Sequence, residues 1–304
     1  PRRSAKGLRI FFAMASPEYM RYYDSTVRLL AQRGHHVVIA VNHLREKKQA
    51  RLDGLERDSA GIHVAGLIPE RGGLWQRVGK GLRGVTDFAR FLHPRYARAP
   101  ALRGRMKRKV LPLAFRFLDR IRTLSEPNLA RVLAVLAAFE RAIPSSRRLE
   151  RFISRYAPDV LLVSPLIDAA SDQVDLVKTA QALALPTVAC IASWDNLTNK
   201  GLMRVQTDGV LVWNEIQKTE AVDLHAVQAE RVEVTGAQLF DRWFDRTPSQ
   251  SREEFCAMVG LPADRPFVLF TGSSGFISKA HAELSFIRTW IAALRAVAAP
   301  RGRG

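Results

Sequence analysis

The sequence has little cysteine, no long apolar run and none of the short motifs that mark common hydrolases. Its two cysteines, Cys190 and Cys256, show no metal-ligand spacing, so we expect reduced, unreactive thiols. No stretch approaches the roughly 20 apolar residues that span a bilayer. The histidines show no zinc-ligand spacing and no G-x-S-x-G element is present. Metal and serine hydrolases therefore have little support, and we expect no bound metal.

Acidic residues are scarce in one segment in particular. The chain carries a net charge of +18, and residues 71–122 hold 15 lysines and arginines against two acids, Asp87 and Asp119. Aromatic residues are interleaved with this charge, which is typical of basic helices on anionic membrane surfaces. The pattern also fits helices that pack on a neighbouring domain with arginines covering the exterior. Nucleic-acid phosphates are a third possible partner, but no nucleic-acid motif is present and we expect none to bind.

Strand and helix signals alternate along the chain. The runs typical of buried strands are Leu8–Ala15, His36–Val41, Ile62–Ile68, Asp159–Pro165, Thr187–Ala192, Gly209–Asn214 and Arg231–Gly236. Helical patterns follow the first, fourth and sixth of these runs, over residues 19–33, 173–183 and 215–226. This alternation predicts an α/β fold with a Rossmann-like parallel sheet that has helices on both faces.

A basic helical insertion, residues 71–143, interrupts the alternation. Its strongest pattern has six apolar residues at helical spacing and predicts one helix with one apolar face. Those residues are Val110, Leu113, Ala114, Phe117, Leu118 and Ile121. Weaker repeats predict one helix that includes Leu82 and Leu92 and another that includes Leu129 and Ile143.

Two domains are predicted. Residues 1–244 form an N-terminal Rossmann-like domain, residues 245–266 a linker with a possible capping box at Ser251 and Glu254, and residues 267–304 the start of a second domain. This last part holds one predicted strand, Phe267–Phe270, and one helix over 280–299. A single strand and helix cannot form a covered parallel sheet. We therefore expect a C-terminally truncated fragment that is inactive alone.

The most polar loop follows the Thr187–Ala192 run. It carries Trp194, Asp195, Asn196, Thr198 and Lys200, which is more polar chemistry than a turn requires. In open α/β sheets, ligands bind beyond the carboxyl ends of the strands. The loop is either a well-bonded structural turn or a site for a sugar or phosphate-bearing ligand, and we favour the site.

The exit of the first strand places Glu18 and Tyr19 where α/β domains present reactive groups. Glu18 is either a general base toward a hydroxyl or a first-turn acid that the helix dipole favours.

Two further strand exits are polar and have two interpretations each. Their residues either cap the following helix or line the same cleft. The residues are Ser164, Asp168 and Gln173 after the fourth strand and Asn214 and Glu215 after the sixth.

A turn of small residues, Thr271-Gly272-Ser273-Ser274-Gly275, follows the predicted strand Phe267–Phe270. Such a turn lets backbone N–H groups approach a phosphate closely. It is neither a P-loop nor a G-x-G-x-x-G motif, and a merely tight turn fits it equally well.

Four features carry a family resemblance. They are the opening strand–helix–strand with Arg33-Gly34-His35, the Ser193–Gly201 loop, Val212-Trp213-Asn214-Glu215 with the later Val234-Thr235-Gly236, and the Ser273-Ser274 turn. Over residues 8–299 the chain resembles a bacterial glycosyltransferase of the GT-B fold. The resemblance implies two Rossmann-like domains across a cleft, with the acceptor on the N-terminal domain and the nucleotide sugar, a co-substrate rather than a cofactor, on the C-terminal domain.

The resemblance also assigns roles to residues. It implies that one group faces the acceptor and the reacting centre, with Asp195 and Glu18 as the catalytic residues. The group consists of Glu18, Tyr19, Trp194, Asp195, Asn196 and Lys200. It further implies that Ser273, Ser274 and Gly275 approach the donor diphosphate.

The expected function is transfer of a sugar from a nucleotide-sugar donor to a lipid-linked or cell-envelope acceptor, such as a polysaccharide. We expect a cytoplasmic protein that is peripheral on the inner membrane face through residues 71–122. The same fold hosts UDP-N-acetylglucosamine 2-epimerases and CDP-glycerol glycerophosphotransferases, so an epimerase or a glycerophosphotransferase is the alternative. A non-catalytic membrane-surface scaffold is a second alternative.

Overall fold

The computed structural model describes residues 7–44, 49–273 and 278–298. The chain forms two compact units, Pro1–Asp245 and Arg246–Gly304. The first unit contains a seven-stranded sheet of order β3-β2-β1-β4-β5-β6-β7, in which every neighbouring pair is parallel. The strands are β1 (Arg9–Met14), β2 (His36–Val41), β3 (Ile62–Leu67), β4 (Val160–Ser164), β5 (Thr187–Cys190), β6 (Gly209–Val212) and β7 (Val232–Val234). The predicted α/β class and parallel sheet are confirmed.

Both faces of the sheet are buried. Successive side chains of a strand point to opposite faces, so each strand contributes residues to two cores. On one face, Phe11 and Ala13 of β1 pack in a core that includes Val38 of β2. On the other face, Phe12 and Met14 of β1 pack in a second core. A strand buried on both faces needs a continuous apolar run, and this requirement explains why the strands could be predicted.

Twelve α-helices lie in the described part of the chain. Their bounds are α1 (Met20–Gln32), α2 (Gln49–Asp58), α3 (Gly73–Arg90), α4 (Pro100–Val110), α5 (Glu126–Ala142), α6 (Arg147–Ser154), α7 (Gln173–Ala182), α8 (Asn196–Asn199), α9 (Glu215–His225), α10 (Asp241–Phe244), α11 (Arg252–Val259) and α12 (Ala280–Ala298). None of these helices is both long enough and apolar enough to cross a bilayer.

The helix predicted across Val110 and Ile121 is wrong. Helix α4 ends at Val110, and Leu113–Arg120 forms a separate 3-10 helix. Pro112 lies between them and explains the break, because proline lacks an N–H donor and its ring clashes with the preceding turn of a helix. The predicted helices through Leu82 and Leu129 are confirmed as α3 and α5.

The basic insertion has a core of its own, and its arginines do not all cover the exterior. Val85, Phe88 and Leu92 pack with Leu111 in a third apolar cluster. Arg83 and Arg90, on the same helix, are only 1% and 4% exposed. The interpretation that places the arginines of this segment outside is therefore wrong for these two residues.

The second unit contains α11 and α12. The capping box between Ser251 and Glu254 begins α11, as predicted. The predicted strand Phe267–Phe270 is not formed, since this segment pairs with no strand among the described residues. A strand needs a neighbour to satisfy its N–H and C=O groups, and the described part of this unit offers none.

Candidate functional site

The sheet has a switch point between β1 and β4. From β1 the chain proceeds to β2 and β3 on one side, whereas β4 leads to β5, β6 and β7 on the other. A crevice opens beyond the carboxyl ends of the strands at such a point, and ligands of open α/β sheets bind there. The segments that follow β1, β4 and β5 are three of the four polar strand exits identified in the sequence.

Two adjoining clefts lie at this end of the sheet. The Glu18 cleft, of about 290 Å³, is lined by Glu18, Tyr19, Arg21, Tyr22, Ser193, Asp195, Asn196 and Lys200. The Asp172 cleft, of about 390 Å³, is lined by Ala15, Asn42, His43, Lys80, Lys109, Val110 and the stretch Asp168–Gln173. The structure thus brings together the exits of β1 and β5 in one cleft and those of β1 and β4 in the other.

Asp168 connects the two clefts. The Tyr19 hydroxyl lies 3.5 Å from Asp168 Oδ2, and Lys200 Nζ lies 3.7 Å from Asp168 Oδ1. Burial and the negative charge of Asp168 raise the pKa of Tyr19, so its hydroxyl remains a proton donor. Asp168 therefore joins three strand exits that are far apart in the sequence.

Asp195 is held as an anion by its own loop. Ser193 Oγ donates to Asp195 Oδ1 and Asn199 Nδ2 donates to Asp195 Oδ2, both at 2.8 Å. Burial would raise the pKa of Asp195, but these two hydrogen bonds and the charge of Lys200 outweigh it and lower the pKa. A carboxylate with a lowered pKa is a weak proton acceptor, so this geometry favours an electrostatic and positioning role over that of general base.

Two of the predicted loop residues maintain the shape of the loop. Asn196 is 3% exposed, and its Oδ1 accepts hydrogen bonds from the backbone N–H groups of Ala192 and Ser193. Thr198 Oγ1 donates to the carbonyl of Asp195. Trp194 differs from both, because its side chain is 73% exposed.

Two residues of the β4 exit are buried. Ser164 is 0% exposed and its hydroxyl lies 2.8 Å from that of Tyr23, while Gln173 is 1% exposed. Gln173 donates to the Ser164 carbonyl and accepts from the backbone N–H of Leu166. These hydrogen bonds fold the loop that carries Asp168, so both residues position that loop. Ser164 lies outside both clefts, whereas Gln173 lines the Asp172 cleft.

Asn214 and Glu215 lie outside the two clefts. Asn214 is the N-cap of α9, where its Oδ1 accepts a hydrogen bond from the backbone N–H of Gln217 at 2.9 Å. Glu215 occupies the first turn of the same helix, where the helix dipole favours an acid. The capping interpretation of this pair therefore describes the structure better than the cleft interpretation.

Ser273 belongs to the second unit and contacts its helix α12. Its backbone N–H and its hydroxyl both donate to Glu283 Oε1, at 2.5 and 2.8 Å. These bonds occupy donors that a phosphate would use. Ser274 and Gly275 lie outside the described residues.

Sequence reasoning missed Asp87 and Arg90, two residues of the insertion that hold the polar loops. The 0%-exposed Asp87 accepts hydrogen bonds from the backbone N–H groups of Ala170 and Leu202 and forms an ion pair with Arg204. Arg90 donates to the carbonyl oxygens of Leu197, Thr198, Lys200 and Gly201. One face of α3 therefore fixes the loops after β4 and β5. The signal in the sequence was the i, i+4, i+7 spacing of Arg83, Asp87 and Arg90.

Three further residues of the Asp172 cleft were also missed. Lys80 comes from α3, Lys109 from α4 and His43 from the exit of β2. They bring two lysine ammonium groups and an imidazole to a cleft whose sequence-predicted members are Asp168 and Gln173. No local motif marks them, because their proximity depends on how the insertion packs against the sheet.

Comparison with known proteins identifies no family. No family model matches the chain, and no curated protein matches it. Among solved structures, the chain is similar to Arabidopsis thaliana UGT89C1 complexed with UDP-L-rhamnose, at 13% identity and a TM-score of 0.37, over 86% of this chain and 56% of that one. It is also similar to Anabaena Alr3699/HepE in complex with UDP and glucose, at 11% identity and a TM-score of 0.37, over 83% and 50%. The chain thus spans about half the length of these two structures. Similarity at this level establishes neither family nor function.

Proposed function

We propose that the protein transfers a sugar from a nucleotide-sugar donor to a lipid-linked or cell-envelope acceptor, whose hydroxyl binds at the switch point of the sheet. One observation carries this proposal. The polar exits of β1, β4 and β5 meet there, with Asp168 between Tyr19 and Lys200. Carboxylate, phenol and ammonium groups around one crevice offer the hydrogen bonds that a polyhydroxylated ligand requires.

The chemistry assigned to this crevice is general-base activation of the acceptor hydroxyl. Glu18 lines the Glu18 cleft from the turn after β1, directly beside Tyr19. Glu18 removes the proton of the hydroxyl as its oxygen attacks the anomeric carbon, and the nucleoside diphosphate leaves from that carbon. Asp195 stays anionic and keeps the loop of Lys200 in place. Lys200 then offsets the developing negative charge.

A transfer assay tests the proposal. The full-length protein is incubated with a membrane lipid extract or a cell-envelope polysaccharide and with each of a panel of radiolabelled nucleotide sugars. Labelled lipid or polysaccharide is the expected product for one donor. Lys200→Gln should lower kcat/KM by about tenfold or more through loss of a charge-assisted contact. Lys218→Gln, on α9 and away from the clefts, is the matched control. No labelled product with any donor would contradict sugar transfer.

We also propose that the basic insertion binds an anionic membrane surface. In the 3-10 helix Leu113–Arg120, three apolar side chains are exposed, Leu113 by 75%, Phe115 by 42% and Phe117 by 58%. Arg116 and Arg120 lie in the same helix. Exposed apolar side chains among cations support insertion at an interface, with attraction to anionic headgroups.

Vesicle flotation tests this surface. The protein should bind vesicles that contain phosphatidylglycerol more strongly than vesicles of phosphatidylcholine alone, and salt should weaken the binding. The double variant Phe115→Ser, Phe117→Ser should bind more weakly, whereas Phe244→Ser, which alters an 86%-exposed phenylalanine elsewhere, should not. Equal binding by wild type and double variant would remove this surface from the account.

A further inference from the structure

A third cavity, of about 660 Å³, lies between α3, α5 and α9. Its volume falls within the roughly 300–1,000 Å³ of small-molecule sites. Besides those helices it is lined by Leu202–Arg204, which lead toward β6. The end of α9, which precedes β7, also lines it. Among the described residues, this cavity shares no lining residue with the Glu18 cleft or the Asp172 cleft, so it is a separate site.

One wall of the cavity is apolar. It is formed by residues of α5 that lie on one face of the helix, at i, i+1, i+4, i+5, i+7 and i+8. These residues are Leu129, Ala130, Leu133, Ala134, Leu136 and Ala137. Three alanines along such a face leave room beside the helix, and the leucines supply apolar contact. This wall suits a flexible hydrocarbon chain.

The lining also contains a buried cation with unused donors. Arg204 lines the cavity, its side chain is 2% exposed, and its Nη2 pairs with Asp87. Its Nε and Nη1 atoms have no hydrogen-bond partner among the described residues. Buried donors are rarely left unpaired, because an unpaired donor costs free energy. An oxygen acceptor from a ligand would satisfy them.

The remaining charges of the lining favour an anion. Arg95 and Arg141 are exposed at the cavity. Of the acids, Asp223 is exposed to solvent, while Glu140 is already paired with Arg83 and Lys178. Burial and the charges of Arg90 and Arg204 lower the pKa of His225 to about 3, so its ring is neutral at pH 7.

We propose that this cavity binds an amphiphilic anion, with an alkyl chain along α5 and a phosphate or carboxylate group at Arg204. The inference is independent of sugar transfer, since neither Glu18 nor the crevice takes part in it. A membrane lipid and a soluble fatty-acyl compound share this chemistry.

Titration calorimetry without a nucleotide sugar tests the proposal. Octyl phosphate, below its critical micelle concentration, should bind the protein with one-to-one stoichiometry. Decyl phosphate should bind more tightly, by about threefold to fourfold for each added methylene. Octyl glucoside and inorganic phosphate should each bind more weakly than octyl phosphate, because each lacks one half of the recognised chemistry.

Paired variants locate the site. Ala137→Trp fills the cavity beside α5 and should weaken octyl phosphate binding by about tenfold or more, the equivalent of two displaced methylenes. Ala138→Trp is the matched control, since this neighbour is exposed and lies outside the lining. Arg204→Lys keeps a cation beside Asp87 but removes the unused donors, and should reduce the preference for octyl phosphate over octyl glucoside.

The outcomes separate the alternatives. If Arg204→Lys fails to fold, the tryptophan pair still decides the location. Loss of vesicle binding in Ala137→Trp identifies a membrane lipid as the source, and unchanged vesicle binding with weakened octyl phosphate binding identifies a soluble one. Absence of octyl phosphate binding, equal binding of octyl glucoside, or equal effects of both tryptophans would overturn the proposal.

Discussion

Arg90 donates a hydrogen bond to the carbonyl oxygen of Gly201 at 2.9 Å, across 111 residues of sequence. Three further carbonyls of the same loop accept from this guanidinium. The insertion is therefore part of the scaffold of the crevice, because it determines where the loop of Asp195 and Lys200 lies. Four predictions examine this scaffold, and a fifth examines the chemistry.

Arg90→Lys should loosen the loop after β5. A lysine has one compact ammonium group and cannot reproduce the planar fork that binds several carbonyls. Amide hydrogen exchange in residues 197–201 should therefore speed up by about tenfold or more, equivalent to at least 1.4 kcal/mol of lost protection. Exchange in β1 should not change. Arg95→Lys, an exposed neighbour, is the control, and unchanged exchange in the loop would show that Arg90 does not hold it.

Gly201→Ala should destabilise the protein by about 2 kcal/mol or more, because the added Cβ would lie 2.7 Å from Asp87 Oδ1 and overpack a buried contact. Gly209→Ala is the matched control. Its Cβ would meet only Val188 side-chain carbons at 3.6 and 3.7 Å, so stability should stay constant or rise by up to about 1 kcal/mol. Urea unfolding measures both, and equal losses would refute the close contact at Gly201.

Asp87→Asn should cost about 3–5 kcal/mol of unfolding free energy, because it leaves the buried Arg204 without its carboxylate. Asp119→Asn removes a partly exposed ion pair with Arg103 and Lys107. That change should cost about 1 kcal/mol or less. Chemical denaturation distinguishes the two values. Similar losses in both variants would mean that Asp87 is no more important than a surface acid.

His225 makes folding stability depend on pH. Its Nδ1 accepts from the backbone N–H of Met203 and its Nε2 lies 2.8 Å from the Leu197 carbonyl. The first bond requires the neutral ring. Burial lowers the pKa of His225 from 6.5 to about 3. The contribution of its neutral ring to the free energy of unfolding is therefore complete above pH 6.5 and is lost as the pH falls toward 3.

The neutral variant His225→Gln isolates this effect. Between pH 7 and pH 5 the wild type should lose about 2 kcal/mol more unfolding free energy than the variant does. Urea unfolding at the two pH values gives the comparison. Identical pH dependence in both proteins would show that His225 is not buried in its neutral form.

The sheet could be predicted from the sequence because its strands are buried on both faces. Each of the seven predicted runs contains an observed strand, for example His36–Val41 with identical bounds. The continuous 110–121 helix failed for a local reason, since apolar spacing was considered without Pro112. The strand at Phe267–Phe270 failed for a non-local one, because an apolar run forms a strand only beside a partner.

The site was predictable only in part. The sequence shows that the loops after β1, β4 and β5 are polar, and the structure brings Glu18, Tyr19, Asp168, Asp195 and Lys200 to the same end of the sheet. The sequence does not show that Ser164 and Gln173 are buried, since their burial depends on the packing of neighbouring loops. Nor does it reveal the contacts of Asp87 and Arg90, which join segments more than 80 residues apart.

The central claim is that Glu18 activates the acceptor hydroxyl in the crevice at the switch point. The most direct test is kcat for sugar transfer by the full-length protein carrying Glu18→Gln. The control is Glu230→Gln, which alters an exposed acid before β7. Both variants should keep the wild-type unfolding free energy. The account predicts that Glu18→Gln lowers kcat by about 100-fold or more, while Glu230→Gln retains wild-type turnover. A kcat for Glu18→Gln equal to that of the control would contradict the account.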